Sequence, residues 1–330
     1  MKAIVCTKYG SPDVLKFTEV EKPSPRDNEV LIKVHAASVT AADCMMRKGT
    51  PFYGRLFIGL LRPKNPITGT GFAGEVEAVG KEVESFQPGD AVFGETGVSF
   101  GANAEYVCVS TEGAIAPLPK NMTYEQAAPV CDGALTSWNF IKNVGDVQRG
   151  QRVLINGASG SLGTSAVQLA KYLGAEVIGV CSTKNVEFVN SLGVDRVIDY
   201  TVENYTNGND TYDVVFDTVG MNSYVRCKGS LIENGVYLSP VLKLSLLLQM
   251  LWTSKFSRKK AKFSATGLRP PAELRELLDE LKQIIEAKKL VTVIDRCYPL
   301  EQTAEAHRYV EQGHKRGNVV VICSKSSKTE

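Results

Sequence analysis

Two apolar runs, Val153-Leu154-Ile155 and Val177-Ile178-Gly179-Val180, bracket the glycine-rich turn Asn156-Gly157-Ala158-Ser159-Gly160-Ser161-Leu162-Gly163. Behind the turn, Val167, Leu169, Ala170 and Leu173 recur at helical intervals until Gly174 ends the pattern. Strand, glycine turn, helix and strand in this order make the βαβ unit whose turn can accept a dinucleotide. Small residues let the backbone approach a pyrophosphate, and the amides of Gly160, Ser161 and Leu162, with Ser159 beside them, are the expected contacts. Against G-x-G-x-x-G the turn reads Ala158-x-Gly160-x-x-Gly163, with alanine first. The plain alternative is a tight strand-to-helix connection that binds nothing. The end of the second strand separates the two readings. Where an NAD-selecting site carries Asp or Glu for the ribose hydroxyls, this chain has Ser182, Thr183 and Lys184. A carboxylate repels a 2′-phosphate and a lysine attracts one, so the expected cofactor is NADPH, held by Ser182 and Lys184. Taken alone, Lys184 also reads as an ordinary surface lysine.

The 330 residues suffice for two domains. With 38 basic and 36 acidic side chains nearly cancelling, no general attraction to nucleic acid is expected. Eight cysteines lie far apart without a CxxC pair and read as reduced thiols. Met1-Lys2 runs directly into the apolar Ala3-Ile4-Val5, which leaves no room for a signal or transit peptide, so a cytoplasmic location is expected.

Residues 1 to about 120 read as short strands separated by Gly and Pro turns, the pattern of a barrel-like domain. Thr123 and Gln126 form a capping-box signature for a helical stretch toward Ile141. Beyond 152 come six strands, at 153–155, 177–180, 196–198, 213–217, 236–238 and 262–264, enough for a doubly wound sheet. Pro270-Pro271 opens an amphipathic helix, and a strand near 293–294, a helix around 304–310, a strand at 318–322 and a polar tail from Ser324 close the chain. One segment stands apart. Val241 to Trp252 is strongly apolar and is followed by Arg258-Lys259-Lys260 and Lys262. It is too short to span a bilayer, so it reads as a helix buried in a subunit interface or covering the substrate cleft or, less favoured, as one lying on a membrane.

Gly69-Thr70-Gly71-Phe72-Ala73-Gly74-Glu75-Val76, Phe86-Gln87-Pro88-Gly89-Asp90, Gly101-Ala102-Asn103-Ala104-Glu105-Tyr106, the turn 157–163, Val197-Ile198-Asp199-Tyr200 and Gly317-Asn318-Val319-Val320-Val321 stand in order along the chain. In this sequence and spacing they resemble the zinc-independent, quinone oxidoreductase-like branch of the medium-chain dehydrogenase/reductase family. The resemblance implies an α/β architecture: a GroES-like β-barrel domain (1–123), a Rossmann doubly wound parallel sheet binding NADPH (124–295), and a C-terminal segment (296–330) returning to the first domain. It further implies a cofactor cleft between domains and a homodimer. Zinc-dependent relatives need Cys and His where this chain has Thr40 and Thr70, and hydroxyls are poor zinc ligands, so no metal is expected. The resemblance also implies that Tyr200 joins Lys184 at the 2′-phosphate, Thr136 meets the carboxamide, and Val219 borders the ribose. Asn318 replaces a family lysine, with Arg316 nearby. Tyr200 reads equally as a strand-end tyrosine, and Thr136 as a packing residue. On the substrate side Thr40 and Tyr53 match cleft positions, while Asp43 and Arg47 are spaced to pair on a helix; no general acid is evident.

The implied activity is NADPH-dependent hydride transfer to a quinone or an α,β-unsaturated carbonyl, which needs no Lewis acid because the acceptor's own carbonyl takes up the charge. The alternatives are an NADPH-binding regulatory or membrane-associated protein with little catalysis and, further off, an NADP-linked alcohol dehydrogenase.

Overall fold

The computed structural model describes residues 1–206 and 210–324; the tail beyond Ser324 lies outside them. The chain divides into two units. The first comprises Met1–Asp132, Gly267–Glu286 and Thr292–Glu330, and the second Gly133–Thr266 with Ala287–Val291. The division falls after Asp132 and assigns the Pro271–Glu286 helix to the first unit, whereas sequence alone placed 124–295 together. The reason is packing. The helix buries Leu274, Leu277, Leu278, Leu281, Ile284 and Ile285, and it is tied to the first unit by Arg275 Nη2 donating to the Thr111 carbonyl (2.9 Å) and Asn121 Nδ2 donating to the Ile285 carbonyl (2.8 Å).

Strands are numbered β1 to β15 in chain order. The first unit is built on β3 (Glu29–Val39), which pairs antiparallel with β4 (Gly71–Val79) along one edge. Its other edge is shared, the first half taking β6 (Tyr106–Ser110) and the second half β15 (Asn318–Ile322). Strand β5 (Ala91–Glu95) adds to β4, β7 (Ala114–Pro117) adds to β5, and β14 (Ile294–Pro299) lies parallel to β15. Val30, Ile32, Val34, Phe72, Val92, Val319 and Val321 meet in one core. The C-terminal strand therefore completes the N-terminal sheet.

The second unit is a six-stranded parallel sheet in the order β10-β9-β8-β11-β12-β13. The strands are β8 (Arg152–Asn156), β9 (Glu176–Cys181), β10 (Arg196–Asp199), β11 (Tyr212–Asp217), β12 (Leu231–Leu238) and β13 (Lys260–Lys262). Side chains alternate across the central strand. Val153 and Ile155 join Val167, Ala170 and Phe216 on one face, while Leu154 joins Ile178, Val215 and Tyr237 on the other. A sheet covered on both faces needs such runs, because each successive residue is buried. The last strand lies two residues earlier than the pattern suggested.

Thr123 and Gln126 form the expected capping box; beyond it the chain continues through turns of π geometry at Val130–Leu135 and Asn139–Val144. The apolar segment forms a helix at Leu244–Phe256, later than expected, with Val241 lying close to Gly220 ahead of it. It buries Leu246 and Thr253. No helix among the described residues is long and apolar enough to cross a membrane.

Candidate functional site

The glycine turn has a separate physical reason for each small residue. Gly157 has φ +80°, and a Cβ there would collide with Val219 and Thr218. A Cβ on Gly163 would collide with the Gly157 carbonyl, so only glycine lets the helix approach β8 this closely. Ala158 is fully buried. Its methyl is a packing group, which accounts for alanine at the first motif position. Gly160 is the N-cap of the Ser161–Tyr172 helix, and no side chain caps it. The first amides of a helix have no carbonyl partner within it, which suits them to an anion. The buried Ser137 anchors the turn by donating to the Leu162 carbonyl at 2.8 Å. Thr136, one residue before, is half-buried.

At the end of β9, Ser182 leads into a single 3₁₀ turn, Thr183–Asn185. The buried Asn185 donates to Ser159 Oγ at 3.1 Å, so the second turn is fastened to the first. Lys184 is exposed, as is Tyr200 at the end of β10. Asp199, a neighbour without a role in the sequence-based reading, accepts from the Thr201 amide (2.9 Å) and hydroxyl (2.8 Å). The Thr183 hydroxyl, first among several bonds, holds its carboxyl below the usual range. A carboxylate in this place opposes a phosphate.

The loop after β11 is held by Asp217, which is fully buried and also unanticipated. It accepts from Asn156 Nδ2 (2.8 Å), the Gly220 amide (3.1 Å), the Asn222 amide (2.9 Å) and the Tyr237 hydroxyl (2.9 Å). Val219 stands exposed on this loop. The second unit contains Thr136, Ser159 to Leu162, Ser182, Lys184, Tyr200 and Val219. Asn318 lies in the first unit, where its Nδ2 donates to the Val293 carbonyl at 2.9 Å and helps seat β15.

In the first unit, Thr40 is the N-cap of the Ala41–Lys48 helix, and Asp43 completes a capping box with it. The Thr40 hydroxyl donates to Asp43 Oδ2 at 2.6 Å. Burial pushes the Asp43 carboxyl up to about 6, and the bonds from Thr40 pull the other way. The spacing-based Asp43–Arg47 pair does not form. Arg47 is buried, pairs with Glu311 and donates to the Gly10 carbonyl at 2.8 Å. Asp43 lies on a pocket bounded by Tyr9, Met46, Ile58, Ile67 and Phe100. Tyr53, on the Phe52–Gly54 turn, is half exposed and does not line it.

Near Asp43 lies a second acid, half-buried. Asp132 accepts from the Ser38 hydroxyl and, at 3.3 Å, from Thr70. A Cβ on Gly71 would fall on the Asp132 carboxyl and the Ser38 hydroxyl, so this glycine makes the space for the pair. Burial, then repulsion from Asp43, raises the Asp132 carboxyl well above the usual range. Burial also lifts Glu95 to about 7, and its Oε1 has no hydrogen-bond partner among the described residues. No local pattern marks these acids in the chain, since their burial comes from strands brought together over long separations.

The hydroxyls of Thr40 and Thr70, at the positions of zinc ligands in metal-dependent relatives, are both bonded to carboxyls. This donor set does not fit zinc. Among the described residues no group of three or more His, Cys, Asp or Glu is arranged to hold an ion. His307 is buried with Nδ1 3.3 Å from Cys44 Sγ, and burial pushes it down to about 3, so it is a neutral packing residue. His35, also buried, stacks on Tyr124.

Comparison with known proteins identifies the fold and the family. A model of the alcohol dehydrogenase GroES-like domain matches residues 26–120, and one described as zinc-binding dehydrogenase matches 192–321. The mouse mitochondrial NAD(P)H oxidoreductase RTN4IP1 is 34% identical, with 97% of this chain and 89% of that protein covered. The chloroplastic NADPH-dependent alkenal/one oxidoreductase of Arabidopsis thaliana is 32% identical over 97% of this chain and 79% of its own length. Among solved structures, the quinone oxidoreductase of Coxiella burnetii superposes with a TM-score of 0.87 at 31% identity, covering 98% of this chain and 99% of that one. The chain is an oxidoreductase and belongs to the quinone oxidoreductase-like branch of the medium-chain dehydrogenase/reductase family, with a GroES-like domain and a Rossmann sheet.

Proposed function

We propose that this oxidoreductase uses NADPH in preference to NADH and reduces quinones or α,β-unsaturated carbonyls without a metal. The observation that carries the reading is the fastening of the Lys184 turn to the uncapped glycine turn through Asn185 and Ser159. One element supplies amides for a pyrophosphate, and the other supplies a cation for a 2′-phosphate. Gly160, Ser161 and Leu162 bind the pyrophosphate, Ser182, Lys184 and Tyr200 the 2′-phosphate, Val219 borders the ribose, and Thr136 orients the carboxamide. The names of the Arabidopsis and Coxiella relatives support the acceptor classes. When bound, the reduced nicotinamide supplies a hydride.

The chain's own contribution is position and a proton. A reduced quinone or enone must gain one proton for each hydride. Thr40 and Asp43 suit that role, because the Thr40 hydroxyl is bonded at 2.6 Å to a carboxyl that burial holds near neutrality. In its protonated form Asp43 donates back across this bond, replacing the proton that the Thr40 hydroxyl gives to the substrate. Asp43, though not Thr40, also borders the pocket that Met46, Ile58, Ile67 and Phe100 line. Asn318 and Tyr53 keep the cofactor and substrate roles that the family resemblance implies.

The eight free cysteines support a reducing compartment, for which the cytoplasm is the simplest case. A homodimer completes the reading, and light scattering measures it. The deciding experiment is NADPH oxidation against quinone and enone panels with NADH as control. Turnover with either panel, faster with NADPH, is expected. NADPH binding without turnover on any acceptor refutes the reading.

A further inference from the structure

The Leu244–Phe256 helix is apolar on both sides. Its inner side, Leu246 with Thr253, is buried on the second unit's sheet. Its outer side carries Leu244, Leu247, Leu248, Leu251, Trp252 and Phe256, all more than two-fifths exposed. These positions recur at three- and four-residue intervals, so they form one stripe along the helix. A helix apolar all round belongs in a buried place, yet this stripe faces outward.

Charge indicates what covers it. Between Glu233 and Glu273 the chain has seven basic residues and no acidic one, although the whole chain carries a net charge of only +2. Lys243 and Lys255, at either end of the stripe, and Arg258 just beyond it are exposed. Lys243, Lys260 and Lys262 are bonded to backbone carbonyls of Gly220, Thr253 and Val144, which orients them without neutralising them. Arg258 has an acidic partner, Glu233, but both are exposed, and such pairs contribute little. A second copy is the poorer match. In a two-fold contact the same patch meets itself, so the two basic segments would be pressed together. A surface that is apolar below and anionic above complements both features at once.

We propose that the Leu244–Phe256 helix lies on bilayers bearing anionic headgroups, its leucine stripe and Trp252 entering the acyl boundary and its lysines meeting the headgroups. This docking does not depend on the catalytic reading.

The test is co-sedimentation of the full chain with phosphatidylcholine vesicles, with and without phosphatidylserine, alongside tryptophan emission. The chain has two tryptophans; Trp138 is buried and Trp252 is 54% exposed, so an emission change reports on Trp252. Pelleting with the anionic vesicles is expected, roughly tenfold stronger than with neutral ones, lost at high salt and accompanied by a blue shift. Leu248→Glu with Leu251→Glu should abolish both signals and leave NADPH binding unchanged, and Lys255→Glu should remove most of the anionic preference. Absence of pelleting at low salt, equal binding to both vesicle types, or unchanged emission overturns the proposal. So does a wild-type dimer that the double-leucine variant converts to monomer, which would identify a second copy as the occupant.

Discussion

Replacing Lys184 with alanine tests the cofactor assignment directly. A charge-assisted hydrogen bond contributes about 1.5–3 kcal/mol. Lys184 is exposed on its turn, and solvent screening puts the expected loss at the lower end, about 1–2 kcal/mol. That corresponds to roughly 5- to 30-fold weaker NADPH binding. NADH has no 2′-phosphate, so its affinity should change less than about twofold, within the range usual for surface substitutions. Asp199 supplies the opposite control. Its carboxylate stands beside the Thr183 turn and is bonded to Thr201, so Asp199→Asn should tighten NADPH a few-fold and leave NADH nearly unchanged. Titration of both dinucleotides by isothermal calorimetry reads all four numbers. Equal losses for NADPH and NADH in Lys184→Ala would refute the assignment of this lysine to the phosphate.

If protonated Asp43 feeds the Thr40 hydroxyl, kcat/KM should be level below pH about 6 and fall as the pH rises through it; Asp43→Asn should be slow and lack this limb in a stopped-flow pH series. Glu95 has a folded-state pKa of about 7, above its unfolded value, so ionising it destabilises the fold increasingly between the two values. Glu95→Gln should therefore add about 1–3 kcal/mol at pH 8 and almost nothing at pH 4, as read by urea unfolding. Gly163→Ala places a methyl on the Gly157 carbonyl; it should cost about 1–3 kcal/mol of stability and abolish dinucleotide binding, measured by thermal melts with and without NADPH.

The parts of the fold governed by local periodicity were readable in advance. The six strands, the capping box at Thr123 and Gln126 and the apolar face from Leu274 to Ile285 each rest on residues a few positions apart. The acids Asp132 and Glu95 were not readable, because nothing near Asp132 in the chain reveals that Ser38 and Thr70 will surround it. Asp43 and Arg47 show how spacing misleads. Each had a suitable partner four residues away, but Asp43 closed a cap with Thr40, and Arg47 paired with Glu311 on a distant helix. Ala158 is the converse case: an apparent flaw in the motif became intelligible once its burial under the turn was seen.

Asp217 joins the end of β8, the loop carrying Val219 and a tyrosine of β12 through one carboxylate. A loop tied at so many points has little freedom left to lose when a dinucleotide arrives. Its ordering is completed once, as the chain folds, and does not recur with every exchange of oxidised for reduced carrier. Loosening this knot should therefore slow the capture of fresh cofactor even though Asp217 itself makes no bond to it.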